Sequence, residues 1–61
     1  MVKGDKIKYL IDCGYEGPHP GDVATVINTG PEGRLFMVEF SDGSVHVESE
    51  QDRNTDWEKV A

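Results

Sequence analysis

Val38-Glu39-Phe40-Ser41-Asp42-Gly43-Ser44-Val45-His46-Val47 is the stretch that decides the fold. Apolar and polar residues alternate on both sides of an Asp-Gly pair, a dipeptide that favours the backbone angles of tight hairpin turns. With Asp42-Gly43 as a two-residue tip, Phe40 faces Val45 and Val38 faces Val47, so four apolar side chains share one face. Glu39 then stands opposite His46 on the other face, where an acid beside an imidazole is favourable. A slip of one residue would set Phe40 against Ser44 and Val38 against His46, and the pattern argues against it. With Phe36, these residues are the expected core.

Working back from the hairpin, Gly30-Pro31-Glu32-Gly33 reads as a turn. Val23 to Thr29 is rich in β-branched residues and reads as a strand. Its buried set is either Ala24 and Val26 or Val23, Thr25 and Ile27. Asp12 to Asp22 contains Gly14, Gly17, Pro18, Pro20 and Gly21, which prevent regular structure, so it is a long loop from which Tyr15 and His19 project. Lys3 to Ile11 reads as a first strand, with Ile7, Tyr9 and Ile11 on one face and Lys6 and Lys8 on the other. Beyond the hairpin, Ser49 to Asp56 is polar and reads as one helical turn or an irregular crossover, and Trp57-Glu58-Lys59-Val60 as a short closing strand. The expectation is an all-β fold, a small five-stranded barrel with a long loop after strand 1 and a short helical turn before the last strand, forming a single domain over residues 1–61.

Composition bounds what such a barrel can do. A chain of 61 residues buries only about 60% of its unfolded surface. That leaves one core and no enclosed substrate cavity. The single cysteine, Cys13, cannot form an internal disulfide, which points to a reducing, cytoplasmic setting. No apolar run approaches the roughly 20 residues of a membrane-spanning helix. Twelve acids against six bases give a net charge of -6, and seven of the acids fall between Glu39 and Glu58. Nucleic-acid affinity depends on Lys and Arg neutralising phosphates, so this balance disfavours direct DNA or RNA binding.

Lys3-Gly4-Asp5-Lys6-Ile7, Pro20-Gly21-Asp22-Val23-Ala24-Thr25-Val26, Val38-Glu39-Phe40-Ser41-Asp42-Gly43-Ser44 and the closing Asp52-Arg53 with Trp57-Glu58-Lys59-Val60 together resemble SH3-like small barrels. The resemblance is nearest to the KOW-like and DUF4314-like proteins of bacteria and their phages. Ala24 stands where a KOW motif prefers glycine. The resemblance implies an SH3-like barrel, and the KOW part of it implies contacts with RNA or with ribosomal and transcription proteins.

No catalytic or metal site is expected. Cys13, His19 and His46 are isolated and lack the short paired spacing of zinc ligands. No third group orients Cys13 and a histidine as nucleophile and base. Cys13 reads instead as a small apolar filler at a strand end, and the carboxylates as solvent-facing. The chain is therefore expected to be no enzyme, to use no cofactor and to bind a protein partner. It is read as a phage or bacterial regulator or inhibitor, monomeric or weakly homodimeric. The expected contact residues are Tyr15, His19, Met37, Glu48, Asp52 and Trp57. Trp57 either plugs the barrel end or joins Tyr15 and His19 in a shallow aromatic groove. Met37 and Leu35 lie opposite Phe36 and Val38, where they form an apolar strip if nothing covers them. Two other readings are an acidic mimic of nucleic acid, built from the acids of Glu39 to Glu58, and a KOW-like nucleic-acid or ribonucleoprotein binder using Lys3, Lys6 and Lys8.

Overall fold

The computed structural model describes residues 1–15 and 17–60; the expected loop over 12–22 is thus described except at position 16. Among these residues five strands follow one another as β1 (Lys6–Tyr9), β2 (Val23–Thr29), β3 (Leu35–Glu39), β4 (Val45–Ser49) and β5 (Trp57–Lys59). The four ladders between them are antiparallel, and the strand order is β4-β3-β2-β1-β5. Single 3-10 turns occupy Pro31–Gly33 and Glu50–Asp52. The fold is an all-β, SH3-like arrangement in which one sheet curls into a half-barrel.

Curling needs local twist, and β2 supplies it. Val26 pairs with Val38, but the next pair is Asn28 with Met37, so Ile27 is an extra residue in the ladder. Such a bulge bends its strand and increases the twist. It also settles the two possible faces of β2, since Ala24 and Val26 are the buried residues. They join Ile7, Tyr9, Phe36, Val38 and Trp57 in one core. Trp57 is fully buried and meets Phe36 edge to face, with ring centroids 5.0 Å apart. Its indole N–H donates to the Ser49 carbonyl at 3.3 Å, and the Arg53 guanidinium lies 5.3 Å from its ring centroid. Arg53 is held there by a two-pronged bond to Glu50, Nε to Oε1 at 2.9 Å and Nη2 to Oε2 at 3.1 Å. Trp57 therefore plugs the barrel end and is not part of a groove beside Tyr15 and His19.

The hairpin register differs from the sequence expectation. Val38 pairs with His46, Glu39 with Val45 and Met37 with Val47. The loop has three residues, Ser41-Asp42-Gly43, not two. Gly43 adopts φ +88°, its N–H donates to the Phe40 carbonyl at 2.9 Å, and the Phe40 N–H donates to the Ser44 carbonyl at 2.9 Å. Asp42 stiffens this loop by accepting the Ser44 N–H at 2.9 Å and the Ser44 hydroxyl at 2.6 Å through Oδ1. A turn followed by a left-handed glycine is the usual three-residue hairpin connection. Because side chains alternate, this one-residue change turns every β4 side chain over. Val45 and Val47 face outward, whereas His46 and Glu48 face inward. Of the expected core, Phe36 and Val38 are buried, Phe40 is half-buried, and the two valines are outside.

Two smaller differences lie at the end of β1 and in the loop after it. β1 ends at Tyr9, so Ile11 is exposed beyond it. Cys13 is also exposed and fills no core position.

Candidate functional site

The long loop is built from its own hydrogen bonds. At its base, the Gly21 N–H donates to the Tyr9 carbonyl and the Tyr9 N–H to the Asp22 carbonyl, both at 2.8 Å. Further out, the Cys13 N–H donates to the Pro18 carbonyl at 2.8 Å. Gly17 makes that closure possible: a Cβ there would stand 2.5 Å from both the Cβ and the carbonyl oxygen of Cys13. Asp12 Oδ1 accepts the Gly14 N–H and Asp22 Oδ2 accepts the His19 N–H, each at 2.9 Å. The His19 ring sits between the same two acids, Nε2 3.8 Å from Asp12 and Nδ1 4.0 Å from Asp22. Among the described residues, no three His, Cys, Asp or Glu side chains are grouped to hold a metal ion.

This loop stands against the hairpin tip, and a cleft of about 460 Å³ lies between them. Tyr15, His19 and Asp22 form one wall, while Phe40 and Asp42 form the other. Tyr15 is 99% exposed. Phe40 is half-buried because its ring stacks on Tyr9, with centroids 5.7 Å apart. Asp42 is held below the usual carboxylate range, first by the Ser44 hydroxyl and then by the Ser44 N–H. Sequence reasoning found Tyr15 and His19 but missed Phe40, Asp22 and Asp42. The last two sat in turn motifs, where their backbone role hid their place on a cleft.

Behind Phe40 the inward side of β4 carries a buried polar cluster. Glu48 is 8% exposed and accepts the Tyr9 hydroxyl at 2.7 Å through Oε2. His46 Nε2 approaches the same oxygen at 3.2 Å. Burial, then the hydrogen bond and negative charge of Glu48, pushes the Tyr9 phenol far above its ordinary value. Glu48 is therefore an internal hydrogen-bond acceptor and not a surface acid. Cys13 is also pushed up, by desolvation and then by the field of Glu48, Asp56 and Asp12. A thiol reacts as its thiolate, so this setting works against nucleophilic use of Cys13.

The outer face of the hairpin is a second surface. Leu35, Met37, Val45 and Val47 are 53, 36, 49 and 55% exposed. Met37 and Val47 are direct cross-strand partners, and Val45 pairs with Glu39 on the same face. A shallow apolar hollow of about 180 Å³ adjoins them, with Leu35, Met37 and Val47 on its rim. Among the described residues β4 pairs only with β3, so its other side is an open sheet edge. The sequence pattern places Met37 in this strip but expects Val45 and Val47 in the core. Asp52 lies apart from both surfaces, half-buried in the 3-10 turn before β5, where its carbonyl accepts Thr55 and Asp56 N–H groups.

The six sequence-derived contact residues thus separate. Tyr15 and His19 share the cleft, Met37 belongs to the outer strip, Glu48 and Trp57 are interior, and Asp52 stands alone. No family model, curated protein or solved structure matches the chain.

Proposed function

We propose that this chain is a non-catalytic protein-interaction module. The single observation that carries the reading is the uncovered apolar strip of Leu35, Met37, Val45 and Val47 beside the open edge of β4. In a chain with a net charge of -6, four large apolar side chains on one sheet face run against solubility. Contiguous apolar surface of this kind marks contact sites, and an open edge adds backbone groups that an extended segment can pair with. Tyr15 and His19 in the cleft supply a second, polar contact region.

An array of surface acids imitating nucleic-acid phosphates draws less support. Of the acids between Glu39 and Glu58, Glu48 is interior, Glu50 is bound to Arg53, and Glu58 pairs with Lys8 at 3.4 Å. The same Lys8 pairing takes one lysine from the Lys3, Lys6 and Lys8 set that a nucleic-acid binder would use.

The test is affinity capture on immobilised protein followed by mass spectrometry, with a Met37→Glu/Val47→Glu double variant beside the wild type. Both substitutions are on exposed side chains, so the barrel should survive, which circular dichroism verifies. The expected result is a protein retained by the wild type and lost with the variant. Identical protein profiles from the two baits would refute the reading.

A further inference from the structure

We propose that the cleft between the long loop and the hairpin tip is a receptor for one arginine side chain of a partner protein. The proposal rests on reading the chain as a protein-binding module and adds the chemistry that its second surface selects. The cleft combines two features that a guanidinium uses together. One is aromatic: Tyr15 and Phe40 flank it, and Tyr15 presents its whole ring to solvent. Arginine planes stack on such faces with a cation–π attraction. The other is charge. Asp22 stands on the loop wall and Asp42 on the tip wall, and no lysine or arginine is among the described residues lining the cleft.

The turns position both carboxylates without using them up. Asp22 Oδ2 takes the His19 N–H, and Asp42 Oδ1 takes the Ser44 N–H and hydroxyl. The second oxygen of each lies outside those bonds. A fork of N–H donors fits a carboxylate better than a compact ammonium does, which favours arginine over lysine. The net charge of -6 draws a cationic segment toward the cleft. The cleft volume of about 460 Å³ admits a side chain with its flanking backbone.

The probe is a capped Gly-Arg-Gly peptide, titrated into the full 15N-labelled chain and followed by amide shifts. Matching peptides carry citrulline, the neutral isostere, or lysine. The expected result is saturable shifts at Gly17, His19, Asp22 and Ser41 to Ser44 with the arginine peptide, and none with citrulline. An Asp22→Asn/Asp42→Asn variant keeps an oxygen for each turn hydrogen bond while losing both charges, and should bind about tenfold more weakly. Tyr15→Ala removes a fully exposed side chain and should weaken binding as well. Equal shifts from arginine and citrulline would overturn the proposal, as would a lysine peptide binding as tightly, full binding by the double Asn variant, or shifts on the outer face of β3 and β4 instead of the cleft. The Met37→Glu/Val47→Glu variant separates the two ideas. It should lose its captured protein and still bind the arginine peptide, so either reading can fail alone.

Discussion

Tyr9 on β1 donates its phenolic hydrogen to Glu48 on β4 at 2.7 Å, joining two strands that are not neighbours in the sheet. With the sheet order β4-β3-β2-β1-β5, this bond spans the mouth of the curl. It ties the outermost hairpin strand to the far half of the barrel. It also explains how a carboxylate can turn inward on β4, since a buried acceptor is tolerated when it is hydrogen-bonded.

Tyr9→Phe should therefore destabilise the fold by more than its small change in size suggests. Glu48 would keep only the His46 contact, and a buried acceptor deprived of a donor costs about 1–3 kcal/mol. Urea unfolding measures the effect. An unchanged midpoint would show that the bond closes nothing.

Stability should also fall at alkaline pH. The folded state holds the Tyr9 proton far above the ordinary value of 10.0, whereas the unfolded chain releases it there. The contribution is fully present below pH 10.0 and is lost as pH rises beyond it, because the folded state then binds more protons than the unfolded one. The slope is at most about 1.4 kcal/mol per pH unit, the linkage of one proton. Denaturant midpoints on either side of that pH should separate for the wild type and converge for Tyr9→Phe.

The hairpin register makes opposite predictions for two positions on facing strands. Val47→Lys should change stability by no more than about 0.5 kcal/mol, as expected of an exposed site. Phe36→Ala should cost about 3–5 kcal/mol, most of the stability of a chain this small. Thermal melts of the two variants test this directly. A Val47→Lys variant that unfolds would restore the two-residue hairpin tip.

Gly17→Ala should disturb the loop without melting the barrel. The new methyl would meet the Cβ and carbonyl oxygen of Cys13, and the carbonyl is backbone, so the loop itself must move. Amide shifts should change from Cys13 to Asp22 while those of β3 and β5 stay in place. Binding of the arginine peptide should weaken along with the loop shifts. A spectrum unchanged in the loop would show that Gly17 is not needed for its closure.

The strands themselves were legible in the chain because their evidence is local. β-branched residues marked β2, alternation on both sides of Asp42-Gly43 marked β3 and β4, glycine and proline marked the loops, and the polar run before Trp57 marked the crossover. Phe36 and Val38 inside, with Leu35 and Met37 outside, followed from alternation alone. In β4 alternation was equally clear but pointed the wrong way. Val45 and Val47 are the more apolar set, yet His46 and Glu48 are the residues that turn inward.

The amino-acid sequence by itself determined that five short strands and a long, glycine-rich loop would form, since propensity and period are properties of neighbouring residues. Only the tertiary structure decided which face of β4 points inward, and with it which surface is left for a partner. The partner that makes an inward Glu48 acceptable is the Tyr9 hydroxyl, 39 positions away in the chain. Hydrogen bonding across that distance leaves no periodic trace in the residues on either side.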